Sequence, residues 1–409
     1  MKIKIRTITL QSFLEEQKEV VFKNFQDNLK FFEKNGYKPR TFRVVSNQII
    51  KSDSEIKKLI KKYIINAHKY NFWGICLPFN MFNKNYIEIL NLAREVSKEG
   101  KDIFLNFLPV IDKSIHLKAV PEISKFILEN AKDPIDNFRI GVSSGKFKTP
   151  FFPFSCAVNN NEFIVGLEIV GPLTDLVKNN SRMDLDGLRE LMIVFLTEEL
   201  QQIQTICYDF EKKSGLKFGG LDLSLAPYPY PLEDQSVSAL IEEIGCIARS
   251  RGESLFEFGS SGTHFINSFL TNILKSIVNN SDIKTTGFNG IMYSVLEDTF
   301  LSKGYENDNF NLDFLKLLST TCGCGLDMVP LPGDTANSSI SGIILDVLST
   351  SIILKKPLGV RLLPIPNSRH GDKTKFKHLF FSNTEIKEIR DGVTLEYLPN
   401  QQNYFKFKE

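Results

Sequence analysis

The sequence predicts an α/β protein built mainly on a parallel sheet, and two patterns carry that expectation. Short β-branched or aromatic runs alternate with longer stretches whose apolar residues recur at i, i+3 and i+4. The stretches between the runs are long enough to be the helical crossovers that parallel neighbours require. In chain order, Lys2–Thr9 reads as a strand and Gln11–Asn35 as an amphipathic helix ended by Gly36. Strands follow at Thr41–Val45, Trp73–Pro78, Ile103–Val110 and Phe138–Ser143, separated by helices at Asp53–Tyr70, Asn83–Lys98 and Val120–Ala131. Cys156–Val170 reads as an antiparallel hairpin turning at Asn159-Asn160-Asn161, because consecutive Asn residues suit tight turns. A long helix is expected from Asp184 to Lys213, then strand Lys217–Leu225 and helices Ser236–Ala248 and Thr263–Val278. Phe288–Val295 is strand-like, Lys303–Asn311 a polar loop and Leu312–Thr320 a helix. Strand Leu326–Leu331, helix Ser338–Leu354 and strand Gly359–Ile365 complete eight to ten strand-helix units, with no linker to divide them. One large domain is expected.

Composition narrows the function classes. The 409 residues are 42% hydrophobic, enough for a large core without disulfides or structural metal. Fifty Lys+Arg against 48 Asp+Glu leave a net charge of +2, so no single-sign field favours nucleic acid or anionic lipid. Six cysteines are too sparse for a secreted disulfide framework. The N-terminus lacks a signal-peptide core, and no run reaches the ~18 apolar residues of a membrane span. A cytoplasmic chain with no membrane or nucleic-acid partner is expected, and a homodimer on the general frequency of two-fold assemblies.

Five loops carry the chemistry. Gly141–Ser155 superficially looks like a P-loop, but three residues separate Gly141 from Gly145 and Phe147 follows Lys146. Walker A needs four, and Ser or Thr after Lys. No nucleotide cofactor is expected. Thr149, Phe151 and Phe152 are expected to wall a pocket, or else to form a plain lid over the core. In Phe218–Pro231, alternation puts Asp222 and Ser224 on one strand face, as pocket groups or as partners of a neighbouring loop. Glu257–Phe265 offers Ser260, Gly262, Thr263 and His264 at a helix start, where free N–H groups attract an anion or are closed by a Ser or Thr cap. Glu297 and Asp298 point in different directions, as macrodipole partners or ligand contacts. Thr320–Ser339 carries Cys322-Gly-Cys324, Asp327, and Asp334 and Thr335 as caps of the next helix or as pocket groups. The CxC pair lacks further zinc ligands.

The segments TPFFP (Thr149–Pro153), FGGLDLSLAP (Phe218–Pro227), LEDT (Leu296–Thr299) and CGCGLDMVPLPGDT (Cys322–Thr335), with KIRTITL and PLGVRLLPIP, resemble the UPF0210 (DUF711) family across nearly the whole chain. That resemblance implies a single large α/β barrel of about ten strands with surrounding helices, similar to pyruvate formate-lyase-like glycyl radical enzymes. It also implies an association with a small ACT-domain partner, but no catalytic residues. The radical loop itself is missing, since Asp372 and Lys373 follow Gly371 where an aromatic is needed.

These readings converge on an enzyme acting on a small anionic metabolite in a strand-end pocket. Asp222 or Asp327 is expected as acid/base or as holder of a divalent cation, with His264 as a further acid/base. Ser260, Gly262 and Thr263 would bind a phosphate or carboxylate, with Arg361 as charge partner. The alternative is a metabolite sensor on an old enzyme fold.

Overall fold

A computed structural model of the chain describes residues 2–15, 19–229, 235–248, 255–321, 323–393 and 402–408. The first part runs β1 (Lys4–Gln11), α1 (Glu19–Asn28), α2 (Lys30–Lys34), β2 (Thr41–Val45), α3 (Ser54–Lys69), β3 (Gly74–Asn80), α4 (Tyr86–Val96) and β4 (Ile103–Leu108). A short hairpin, β5 (Val110–Ile111) and β6 (Ser114–His116), precedes α5 (Ala119–Asn130) and β7 (Ile140–Ser143). The second part runs β8 (Glu162–Glu168), α6 (Val170–Asn179), α7 (Leu185–Ser214), β9 (Lys217–Asp222), α8 (Val237–Ala248) and α9 (Thr263–Asn280). It closes with α10 (Thr299–Glu306), α11 (Leu312–Thr321), β10 (Gly325–Pro332), α12 (Asn337–Leu354), β11 (Gly359–Ile365) and β12 (Tyr404–Lys406). Local chemistry sets several ends. Asp53 accepts from the Ile56 N–H at 3.0 Å, Asp184 from the Gly187 N–H at 2.8 Å, and Gly215 ends α7 at φ +72°.

Among the described residues, nine strands form one sheet in the order β10-β11-β7-β4-β3-β2-β1-β8-β9. Strands β7, β4, β3, β2 and β1 are mutually parallel. The pairs β8-β9 and β10-β11 are each parallel within themselves but join that block antiparallel, at β1 and at β7. One end of the sheet therefore gathers the starts of five strands and the finishes of the other four. Edges β9 and β10 both carry isolated parallel bridges to one segment: Leu221 to Thr285, Leu225 to Ile291, and Asp327 to Ser294. The largest apolar cluster runs from Ile3, just before β1, to Leu362 on β11. Helix α12 is apolar and long enough to cross a membrane by length and composition, but half of it is buried in the protein.

Several expectations need correction. Residues 156–158 form no strand, so Cys156–Val170 is not a hairpin; β8 pairs instead with β1, far back in the chain. The expected helix Gln11–Asn35 is β1's end plus two helices meeting at Leu29, its residues 16–18 lying outside the described ones. Lys303–Glu306 of the expected loop is helical and 307–311 is not, α6 was unforeseen, and Phe288–Val295 makes bridges without joining a ladder. The nine-strand ladder is open at β9 and β10 rather than closed as a ten-stranded barrel.

The β7–β8 connection explains the interior. Because four strands separate β7 from β8, residues 144–161 must cross the whole parallel block. They cross it against strand glycines: a Cβ on Gly141 would stand 2.5 Å from Pro153 Cγ, and one on Gly359 2.5 Å from Phe154. Gly141→Ala is expected to cost about 1–3 kcal/mol, the usual penalty of overpacking, read as a lower urea midpoint at unchanged slope.

Candidate functional site

The crossing loop buries backbone, so its polar groups need partners. Cys76 on β3 donates its thiol to the Pro153 carbonyl (3.2 Å), and Asn106 on β4 donates Nδ2 to the Ser155 carbonyl (3.3 Å). Arg43 on β2 donates Nη1 to the Pro150 carbonyl at 3.1 Å. Thr149 donates to Asp222 Oδ2 at 3.0 Å.

Between this loop and the strands lies a crevice of about 30 Å³, room for roughly two waters. Among the described residues its charged lining is Arg6, Arg43, Arg361, Asp327 and Glu297, three positive against two negative. Its apolar lining includes Trp73, Phe104, Phe138, Phe151 and Phe152. Arg361 is neutralised: Nε and Nη2 grip Asp327 at 2.6 and 2.8 Å, and Nη2 reaches Glu297 Oε2 at 3.3 Å. Ser294 donates to that same Glu297 oxygen at 3.0 Å. Oε1 of Glu297 has no hydrogen bond among the described residues.

Arg6 and Arg43 differ. Both are more than nine-tenths buried, and neither has an ion-pair partner among the described residues. Arg6 donates to the Pro227 carbonyl at 2.6 Å, and Arg43 to Thr41 Oγ1 at 3.2 Å as well as to Pro150. Arg43 lies 4.7 Å from the Trp73 ring centroid and 5.3 Å from that of Phe152, cation–π contacts that partly replace its hydration. Burial, with Arg6 as the next cause, pulls its pKa down to about 9.

Irregular pairing aims these groups. The β1–β8 register shifts between Ile5 and Thr7, making Arg6 the extra residue of a bulge. The β10–β11 register shifts between Leu326 and Val329, and Met328 there has φ +52°. Bulges re-aim side chains beside functional sites. A hairpin bridged at Lys373 and Glu385 brings Phe380 beside Trp73, its ring 5.7 Å from both Trp73 and Tyr228.

Of the residues expected from sequence, the crevice gathers Phe151, Phe152, Glu297, Asp327 and Arg361. Asp222, Thr149 and Ser224 lie off it. The Asp222 carboxylate is fully buried and accepts from Thr149, from the Ser224 N–H and hydroxyl, and from the Phe288 and Asn289 N–H groups. Burial raises its pKa against those bonds. Ser260, Gly262, Thr263 and His264 also lie elsewhere. Thr263 bonds Ser260 and Gly259, Gly262 is the cap residue of α9 without a side-chain bond, and His264 Nε2 meets Thr321 Oγ1 at 3.1 Å. Nor do Asp334 and Thr335 cap α12 as expected, since Ala336 occupies that position; Thr335 turns back to the Pro332 carbonyl. Asp298 caps α10 through the Phe300 and Leu301 N–H groups and also accepts from Val237 at the start of α8. Cys322 lies outside the described residues, and the described ones contain no cluster of metal-ligating side chains. Gly371 is exposed on the surface hairpin. Sequence reasoning missed Arg6, Arg43 and Trp73. Cations within the apolar runs KIRTITL and TFRVV were the available signal.

Fold and site define an α/β protein with an interior crevice of arginines and aromatic rings. The chain belongs to the family described as Uncharacterised ACR (DUF711), whose model matches residues 1–383. It is similar to a UPF0210 protein of Pyrobaculum arsenaticum, 27% identical over 261 residues, 63% of this chain and 56% of the relative. A UPF0210 protein of Carboxydothermus hydrogenoformans is 26% identical over 318 residues, 75% of this chain and 68% of the relative. One of Methanococcoides burtonii is 29% identical over 221 residues, 54% and 45% of the two chains. Against the first of these, the match spans little more than half the relative's length.

Asp222→Ala is expected to cost at least about 3 kcal/mol in urea unfolding, because it strips several buried donors of their acceptor. A native pKa above the ordinary 3.8 means that the folded state holds the proton more tightly. The carboxyl's contribution is thus fully present below that value and lost as pH rises through the raised one. Asp222→Asn should flatten this fall in a stability–pH profile, leaving the part due to Asp298, whose pKa burial also raises.

Proposed function

We propose that the crevice binds a small monoanion of the carboxylate class. The observation that carries this reading is the pair Arg6 and Arg43, two buried guanidiniums with no ion-pair partner among the described residues, in a crevice whose described lining is one positive charge in excess. Burying an unpaired cation is costly, and a bound anion offsets that cost. Planar guanidiniums match a planar carboxylate in two-pronged fashion. The small free volume suits a carboxylate group.

In this reading the segment 285–294 is a tenth stave between β9 and β10, making the crevice the inside of a barrel. The acid/base role passes from Asp222 to Glu297, a crevice carboxylate with one oxygen free of hydrogen bonds among the described residues. Asp222 then serves the architecture.

Thermal unfolding with formate, acetate and lactate at constant ionic strength tests the reading. A monocarboxylate at a hundred times its Kd is expected to stabilise the wild type by about 2.7 kcal/mol. Arg43→Met, which leaves the buried Pro150 carbonyl without its donor, should cost about 1–3 kcal/mol without ligand and show no anion-dependent shift. Equal shifts in both proteins would overturn the proposal. Glu297→Gln should keep binding but lose turnover of any substrate found.

A further inference from the structure

The segment Ser144-Gly145-Lys146, whose spacing fails the P-loop pattern, lies at a second cavity of about 430 Å³. This cavity sits where β3, β4 and β7 finish, at Asn80, Leu108 and Ser144. Carboxyl ends of parallel strands are where open α/β sheets place ligands. The volume falls in the range of small-molecule sites. Four lysines line it, from three separate parts of the chain: Lys113 in the β5–β6 turn, Lys146 after β7, and Lys355 and Lys356 after α12. Asp112 is the one acidic residue among the described lining residues, whose formal charges sum to +3.

Lys146 and Lys355 have no ion pair or hydrogen bond from their ammonium groups among the described residues. Lysines after a helix C-terminus complement its dipole, which accounts for Lys355 and Lys356. It does not account for Lys113 and Lys146 turning to the same space. The left-handed φ of Asp112 and Lys113 (+46° and +62°) belongs to the two-residue turn between β5 and β6, and that of Lys355 (+52°) to the C-terminal cap of α12. Leu108, Val110, Phe147 and Ile352 give the cavity an apolar wall beside its charges.

We propose that this cavity is a binding site for a phosphomonoester, its phosphate held by the lysines and its apolar body against Phe147 and Ile352. Compact ammonium charges in excess suit a dianionic phosphate, whereas the arginine crevice carries a single excess charge. The two sites are separate but share one loop, Lys146 and Phe147 lining the first and Phe151 and Phe152 the second.

Isothermal titration with phenyl phosphate and with inorganic phosphate at fixed ionic strength tests this. Phenyl phosphate is expected to bind saturably and more tightly than inorganic phosphate. Lys146→Glu with Lys355→Glu should weaken it roughly tenfold or more, two charge contacts being lost, while the far-ultraviolet spectrum stays unchanged and the urea midpoint falls only slightly, by the lost dipole contact of Lys355. Lys146→Gln with Lys355→Gln should weaken it less. Phe147→Ala should remove the preference for the phenyl ester, and Arg43→Met should leave phenyl phosphate binding intact. Absence of saturable binding, equal affinity for the two phosphates, or indifference to the charge reversal would each overturn the proposal.

Discussion

The whole arrangement depends on satisfying a stretch of backbone that has no ladder of its own. The chain between β7 and β8 runs across the inner face of the sheet, where water cannot serve its carbonyls and amides. Side chains from neighbouring strands take over: the Cys76 thiol, Asn106 and Arg43 each reach one of its carbonyls, and Asp222 fixes it through Thr149. That need also explains why a cysteine, an asparagine and an arginine sit inside strands that are otherwise apolar. Their polarity is matched to a specific loop atom. The strand glycines complete the fit by leaving out the side chains that would occupy the same space.

Arg43 joins this structural duty to the functional one. One nitrogen holds the loop at Pro150, another meets Thr41, and the guanidinium as a whole lies between Trp73 and Phe152. The positive charge is thereby placed by packing rather than by a counter-ion. Arg361 follows the opposite design, with Asp327 and Glu297 neutralising it in place. The pocket's electrostatics thus come from an asymmetry between three residues of one type. Removing the Arg43 charge would lose recognition together with a donor that the crossing loop needs.

Much of the fold was legible because its helices are locally determined. Helices α3, α5, α7, α9 and α11 emerged near their observed bounds from apolar spacing, with Asp53, Asp184 and Gly215 marking ends. Phe151, Phe152, Glu297, Asp327 and Arg361 were legible as pocket candidates because polar and rigid residues crowd the loops and strands that carry them. What was not legible was long-range pairing. The three Asn residues at 159–161 make a good local turn, yet β8 finds its partner in β1, where Lys4 pairs with Glu168. Bulges at Arg6 and at Asp327–Met328 depend on that pairing and leave no local trace. His264, Asp334 and Thr335 misled for a related reason: a helix start looks like an anion site until the fold shows which mouth it faces.

The crossing loop also constrains the order in which the protein assembles. Its two anchors, β7 and β8, flank a block of strands that must already be adjacent for the loop to have a surface to lie on. Strands β9 to β11 come later in the chain and flank that block from both sides. Were they to dock first, the loop would have to thread into a space already enclosed. Contacts so distant in sequence are the slow kind, since loop-closure entropy is spent before they return anything. The interior that gives the crevice its shape is therefore also a kinetic demand on the nascent chain. Its first half has to wait, partly unpaired, for its second.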